Sequence, residues 1–319
     1  LRSVLDDQFH KTLLALPITG ILVFTVIPIL FMILVAFTNY DGAHDGYSNL
    51  FTWVGLSNFN ELISSSSADA NLSYTFGEIL SWTLMWAFFA TFTNYFLGML
   101  VAILINKKGI HFKKLWRGIL VLTIAVPQFI SLLYVSKLFD TNGVVNAMLL
   151  KLGFIDQAIR FWENTTSARI LVIVINIWVG IPYLMLVSTG ILMNIPQDLY
   201  ESSKIDGASV WQQYMKITLP YMLFVTGPYL LTQFIGNINN FNVIYLLTQD
   251  VFVTQNQALV NSHAKEVDLL VTWLFRLTNE YYDYKMASVI GIIVFIICAA
   301  FTLISFSRMI SGDKEEEYQ

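Results

Sequence analysis

Ile170-Leu-Val-Ile-Val-Ile-Asn-Ile-Trp-Val-Gly-Ile-Pro-Tyr-Leu-Met-Leu-Val-Ser-Thr-Gly-Ile-Leu-Met-Asn-Ile-Pro-Gln197 contains no Asp, Glu, Lys or Arg. At about 1.5 Å of rise per residue, ~20 helical residues cross the hydrocarbon layer of a bilayer, and this run exceeds that. Outward along the chain, residues 12–40, 79–106, 118–136, 217–249 and 286–307 are equally free of charge. The whole chain is 56% hydrophobic and only 13% charged, where a soluble domain carries about 25% charge. A disordered chain is excluded and a soluble enzyme is disfavoured. The reading is an all-α integral membrane protein with at least six transmembrane helices.

The remaining composition narrows the partners. A net charge of −4 shows no basic bias toward nucleic acid. Cys298 is the single cysteine, so no internal disulfide forms. His10, His44, His111 and His263 are scattered without ligand spacing, so no metal site is expected. No G-x-x-x-x-G-K-[ST] loop occurs, so ATP is not expected to bind this chain. Residues 12–40 are too long for a signal-peptide core and are expected to remain as an anchor. The chain begins with Leu1 rather than Met, and a missing N-terminal piece is expected.

Charge placement orients the spans. Residues 106–117 hold Lys107, Lys108, Lys113, Lys114 and Arg117 with no acid, whereas residues 38–78 hold Asp41, Asp45, Glu61, Asp69 and Glu78 with no Lys or Arg. By the positive-inside rule the first segment is cytoplasmic and the second external. Alternation then places both termini and residues 195–220 inside, and residues 141–167 and 250–283 outside. Three parts follow: residues 1–78 as an N-terminal span with its external loop, 79–310 as the core, and 311–319 as a solvated tail. The run Ser64–Ser67 is a polar loop, and Asn71-Leu-Ser and Asn164-Thr-Thr match a short, common sequon to which no function is assigned. Pro17, Pro28, Pro127, Pro182 and Pro228 lie within the spans and are expected mainly to kink them.

Between spans four and five lies Asn194-Ile-Pro-Gln-Asp-Leu-Tyr-Glu-Ser-Ser-Lys-Ile-Asp-Gly-Ala-Ser-Val-Trp-Gln-Gln-Tyr-Met-Lys-Ile-Thr-Leu-Pro220. Asp198 with Glu201 three residues on predicts a capped helix over 199–206. Ser209 predicts the cap of a second helix that stops near Pro220, with Trp211, Tyr214 and Met215 on its apolar side. Gly207 and Ala208 permit close approach at the turn. On physics alone such a hairpin either docks a partner or lies on lipid.

The loop resembles the EAA coupling motif of ABC importer permeases: E-A-A, three residues, G, nine residues, I-x-L-P. Glu201, Gly207, Ile217, Leu219 and Pro220 fall at those spacings, with Ser202 and Ser203 in place of the alanines. The resemblance implies a type I ABC importer permease fold. It also implies that Glu201, Ser202, Ser203, Asp206, Gly207 and Ala208 contact a separate ATPase subunit, which would hold ATP and Mg, so no cofactor belongs to this chain. From about residue 75 to 310 the chain is similar to the larger membrane subunit of maltose and maltodextrin importers. The matching segments include Ala125-Val-Pro127, Asn176-Ile-Trp-Val-Gly-Ile-Pro-Tyr183, Asn239-Asn-Phe241 and Asp268-Leu-Leu-Val271. The resemblance implies a bacterial plasma membrane protein that pairs with a second permease, two ATPases and an external sugar-binding protein. The large external insert of the Gram-negative form is absent, since residues 38–78 are its whole first external loop.

Polar side chains inside the spans form stripes. Asn176, Val179, Gly180 and Tyr183 recur at i, i+3, i+4, i+7, and Gln233, Gly236, Asn237 and Asn240 do the same on span five. Asn176 and Asn240 each lie roughly 9–10 Å from the outer end of their span, so the stripes share a depth. Gln128, beside Pro127, joins them. Amides donate and accept together, which suits a neutral sugar, and the rings of tyrosines can pack on sugar C–H faces. The resemblance implies sugar contacts at Asn176, Gly180, Tyr183, Asn237 and Asn240. At four contact positions the chain departs from the pattern: Ile124 and Gly236 replace aromatics, Gln128 a serine and Val179 a leucine. External Lys265, Glu266 and Asp268 are candidates to touch the binding protein.

The expectation is therefore a transport subunit rather than an enzyme, importing maltose, maltodextrin or a related oligosaccharide by ATP-driven alternating access. The alternatives are an ABC permease for another solute class and an ion-coupled secondary transporter. The second of these predicts an acidic residue deep in a span, and the six runs hold none.

Overall fold

The computed structural model describes residues 2–44, 51–64, 71–107 and 109–316. Asp45, Asp69, Lys108 and residues 65–67 of the serine run lie outside them. Among the described residues the chain is helical, with a single isolated bridge, Thr38 to Trp53, in place of any sheet. In chain order the helices are α1 Arg2–Ile21, α2 Ile27–Val35, α3 Ser57–Ser64, α4 Leu72–Asn106, α5 Lys113–Ala125, α6 Gln128–Leu138, α7 Val144–Lys151, α8 Thr165–Leu192, α9 Gln197–Ile205, α10 Val210–Gln213, α11 Leu219–Ile238, α12 Phe241–Thr248, α13 Gln257–Asn261, α14 Leu270–Asn279 and α15 Tyr284–Glu316.

Among the described residues, four helical segments are long and apolar enough to cross a membrane: Leu13–Val35, Leu72–Asn106, Thr165–Leu192 and Tyr284–Ser307. The third expected span is not one helix. It breaks into α5 and α6, which meet at 93°. Pro127 offers no N–H and pushes Val126 into an extended conformation (φ −81°, ψ 129°), so the helix ends there rather than kinking. The fifth expected span also divides. α11 has 20 residues, but its threonines, Gln233 and Asn237 make it less apolar than the others. It stops at Ile238, because Asn239 and Asn240 satisfy backbone groups with their side chains: Asn239 Nδ2 donates to Ile235 O, and Val243 N donates to Asn240 Oδ1, which caps α12.

The prolines separate by context. Pro17, Pro182 and Pro228 lie inside helices. Pro28 and Pro220 each follow a single π-turn, Leu22–Val26 and Tyr214–Thr218. A widened turn removes the clash between a proline ring and the preceding carbonyl, so the chain continues without a break. Asn71 and Asn164, the sequon asparagines, are helix N-caps: they accept from Tyr74 N and from Thr166 and Ser167 N.

α4 and α8 form the heart of the bundle. Gly98 lets Leu184 pack directly on α4, since a Cβ at Gly98 would stand 2.5 Å from the Leu184 Cβ. Four buried tryptophans tie helices and loops together through their indole N–H groups. Trp82 donates to Val267 O, Trp86 to Asn237 O, Trp162 to Ser136 O and Trp273 to Ser262 O, at 2.9–3.3 Å. The segment after α14 is clamped to the end of span one: Gly42 N donates to Tyr282 O, Lys285 N to Tyr40 O, and Lys285 Nζ to Asp41 Oδ2 at 2.9 Å. The hydrogen bond from Lys285 holds the Asp41 carboxyl below its ordinary pKa, with a smaller contribution from His44. A lowered folded-state pKa means the clamp is complete above the unfolded value and is lost as pH falls through the folded one. Proteolytic protection of residues 36–44 is therefore expected to hold from neutral pH to about pH 4 and to fall below it. A loss of protection centred near neutrality would contradict this.

Lys265, Glu266 and Asp268, expected to face a binding protein, do structural work instead. Asp268 is buried; it accepts from Arg276 Nε at 3.0 Å, Lys265 N at 2.8 Å and Thr272 Oγ1 at 3.0 Å. Burial pushes its carboxyl up, and Arg276 opposes that shift. Buried Glu266 accepts from Gln255 N and Asn256 N through Oε1, and its backbone oxygen accepts from Arg169. Lys265 Nζ donates to Gln249 O.

Candidate functional site

A cavity of about 210 Å3 lies where α4, α6, α8 and α11 face one another. α8 contributes Asn176, Val179, Gly180 and Tyr183, the whole stripe read from sequence. α11 contributes Tyr229, Gln233 and Asn237, and Asn240 follows from the break. The bend at Pro127 aims the first residue of α6, Gln128, at the same space. All seven residues expected to form a substrate wall thus line one cavity, although Asn240 reaches it as a helix cap rather than as the next step of a continuous helix. Among the described residues, no charged side chain lines it. Ile124 lines a neighbouring groove that shares Gln128, Val179 and Tyr183 with the cavity.

Sequence reasoning missed the contribution of α4: Thr91, Asn94 and Tyr95. The signal was present, because Thr91, Asn94, Tyr95 and Gly98 recur at i, i+3, i+4, i+7 on span two. Asn237 is held on both sides: its Nδ2 donates to Thr91 Oγ1 at 3.0 Å, and its Oδ1 accepts from Asn240 Nδ2 at 3.3 Å. Tyr95 OH and Thr226 Oγ1 bond at 2.8 Å. The Tyr183 and Tyr229 rings stand 6.5 Å apart on facing helices. Two buried amide atoms in the wall, Asn94 Oδ1 and Asn176 Nδ2, have no hydrogen-bond partner. Buried polar groups are almost always paired, so these two carboxamides at the cavity wall are left short of a partner.

The hairpin after α8 forms the second site. α9 begins one residue before Asp198, with Pro196 as its non-bonding N-cap, because proline presets the entry dihedral. Asp198 sits in the first turn, not at the cap. Gly207 adopts φ +78° and closes the turn, while Ala208 N donates to Ser203 O at 2.9 Å. Ser209 caps α10 as expected, in a reciprocal pair with Gln212. α10 does not stop near Pro220; it runs through the π-turn into α11. Gln213 Nε2 donates to Ser203 Oγ at 2.8 Å, and Tyr200 OH bonds Thr218 Oγ1 at 2.9 Å, so the two arms are pinned together. Ser203, Asp206, Gly207 and Ala208 line a hollow between the arms, and Glu201 and Ser202 are exposed on α9. Ile205, Val210 and Trp211 stand 87%, 83% and 68% exposed at the tip. Large apolar side chains left bare around a polar turn mark an interaction surface.

The chain is similar to known transport permeases. The chain is 38% identical to the galactooligosaccharides transport system permease protein GanP of Bacillus subtilis, over 94% of this chain and 70% of that one. It is 36% identical to the maltodextrin transport system permease protein MalC of Streptococcus pneumoniae, over 99% of this chain and 72% of that one. Its fold matches a solved bacterial alginate ABC transporter in complex with an alginate pentasaccharide-bound periplasmic protein, with TM-score 0.74 at 21% identity, covering 95% of this chain and 94% of that one. The family described as binding-protein-dependent transport system inner membrane component matches residues 94–311, and the chain belongs to that family.

Proposed function

We propose that this chain is a permease subunit of an ATP-driven importer for a neutral oligosaccharide, and that the cavity between α4, α6, α8 and α11 holds the sugar during passage. The observation that carries this reading is the character of the wall: amides, hydroxyls and two facing tyrosine rings, with two unpaired buried amide atoms and no ionised group. Hydroxyls need donors and acceptors together, and amides supply both while replacing the water the sugar leaves behind. The relatives named for galactooligosaccharides and maltodextrin support a neutral saccharide. An acidic sugar or an ion would meet no counter-charge in this wall.

In this reading the hairpin seats in a cleft of a separate ATPase subunit, which binds ATP and Mg, and a second permease completes the path. The segment carrying Lys107, Lys113 and Arg117 faces the cytoplasm with both termini, and the opposite face meets an extracellular or periplasmic sugar-binding protein. The hairpin is continuous with α11 through the π-turn, so movement of the hairpin is carried to Gln233 and Asn237 along one rigid element. Coupling requires that the cavity hold sugar differently in its two states.

Asn176→Ala tests the reading. In vesicles carrying the whole importer, the KM for oligosaccharide uptake is expected to rise by roughly tenfold, the usual loss when a buried hydrogen-bonding amide is removed from a polar ligand. Unchanged uptake would remove the sugar from this cavity.

A further inference from the structure

We infer that Asn94 on α4 is a specificity-determining contact of the saccharide, and that Gly180 acts mainly by giving the Asn94 carboxamide a place to lie. This rests on the sugar-cavity reading above and assigns within it a role that no stripe on α8 or α11 suggested.

The amides of the wall are not equivalent. Asn237 Nδ2 donates to Thr91 and its Oδ1 accepts from Asn240 Nδ2, while Asn240 Oδ1 accepts from Val243 N. These two build the wall at the end of α11. Asn94 and Asn176 differ: each is more than nine-tenths buried (7% and 6% exposed), each lines the cavity, and each keeps an unpaired amide atom, Oδ1 on Asn94 and Nδ2 on Asn176. Both unpaired atoms are closed off from the cavity as it stands, so a sugar hydroxyl meets them only when the carboxamides turn toward it. An acceptor on one helix and a donor on the next then complement a hydroxyl, which donates one proton and accepts through two lone pairs. A hydroxyl also satisfies either orientation of a carboxamide, so the match does not depend on which way an amide is turned. An ether oxygen or a C–H at the same place leaves one amide unsatisfied.

Gly180 explains how Asn94 comes to be there. A Cβ at position 180 would collide with the Asn94 carboxamide, so only glycine on α8 permits that side chain to lie between the two helices and reach the cavity. Gly180 is thus a positioning residue, and the group presented to the sugar is Asn94.

The experiment measures KM and maximal rate of uptake in vesicles carrying the complete importer. Its probes are a maltodextrin of three glucose units, a galactooligosaccharide, and the monodeoxy analogues of each. For the saccharide carried by wild type, one monodeoxy analogue is expected to show a KM raised roughly tenfold. In Asn94→Ala the parent sugar takes on that raised KM and the same analogue is no worse than the parent, while the maximal rate changes little. Asn94→Leu, which keeps the volume, gives the same pattern if the alanine variant inserts poorly. Gly180→Ala reproduces it by displacing the carboxamide. Saccharide uptake in which these variants keep both the wild-type KM and the wild-type discrimination overturns the role of Asn94 alone. Failure of the wild-type importer to carry any of these sugars overturns the cavity reading together with it.

Discussion

Replacing Gly207 by tryptophan is expected to abolish nucleotide-driven uptake while leaving the chain folded in its membrane. The backbone there sits at φ +78°, where an L-residue costs about 1–2 kcal/mol. That is small beside the roughly 5–15 kcal/mol by which domains are stable. A Cβ at this position meets no atom within 4 Å, so a side chain has room to leave the backbone there. Any large loss must then arise outside it, in the space a partner subunit occupies against the turn. Gly207→Ala bears the same backbone penalty with little bulk and is expected to retain most activity. The measurement is ATP-dependent uptake normalised to inserted protein, with co-purification of the ATPase as the second readout. Wild-type transport by the tryptophan variant would sink the docking role of the hairpin.

Asp268→Ala is expected to destabilise the protein by about 3–5 kcal/mol, read as a large drop in thermal midpoint in detergent. Its carboxylate is buried and, with Glu280, neutralises Arg276, which is 7% exposed and already keeps Nη2 unpaired. Removing the acid leaves buried Arg276 with only Glu280, a more exposed carboxylate that accepts from its Nη1 at 3.2 Å. Breaking a buried pair on one side costs about 3–5 kcal/mol, whereas replacing both partners by apolar groups is often neutral. Asp268→Leu combined with Arg276→Met should therefore recover much of the loss. A midpoint in Asp268→Ala equal to that of wild type would mean that water reaches Arg276. The effect on transport should follow folding alone, since this cluster lies away from the cavity lining.

Much of the candidate site was legible because helical periodicity is a local property. Asn176 to Tyr183 and Gln233 to Asn237 share faces by spacing alone, and the bundle brings those faces together. The stripe on α4 obeyed the same rule. It passed unnoticed because Thr91, Asn94 and Tyr95 sit among large apolar residues, and nothing local distinguishes a wall from a packed core. The charges at 265–268 misled for the opposite reason: charge suggests exposure, and partners elsewhere in the chain reverse it, Arg276 eight residues from Asp268 and Arg169 ninety-seven residues from Glu266.

The sequence by itself determined that this chain lives in a bilayer, which segments are apolar, and where the hairpin turns, because burial in lipid, helix capping and the freedom of glycine each act over a few residues. Only the tertiary structure decided that span three breaks at a right angle beside Pro127, that paired asparagines end α11 at the cavity, and which amides are left without a partner. Those outcomes depend on which side chain meets which across helices, and no distance along the chain encodes that meeting.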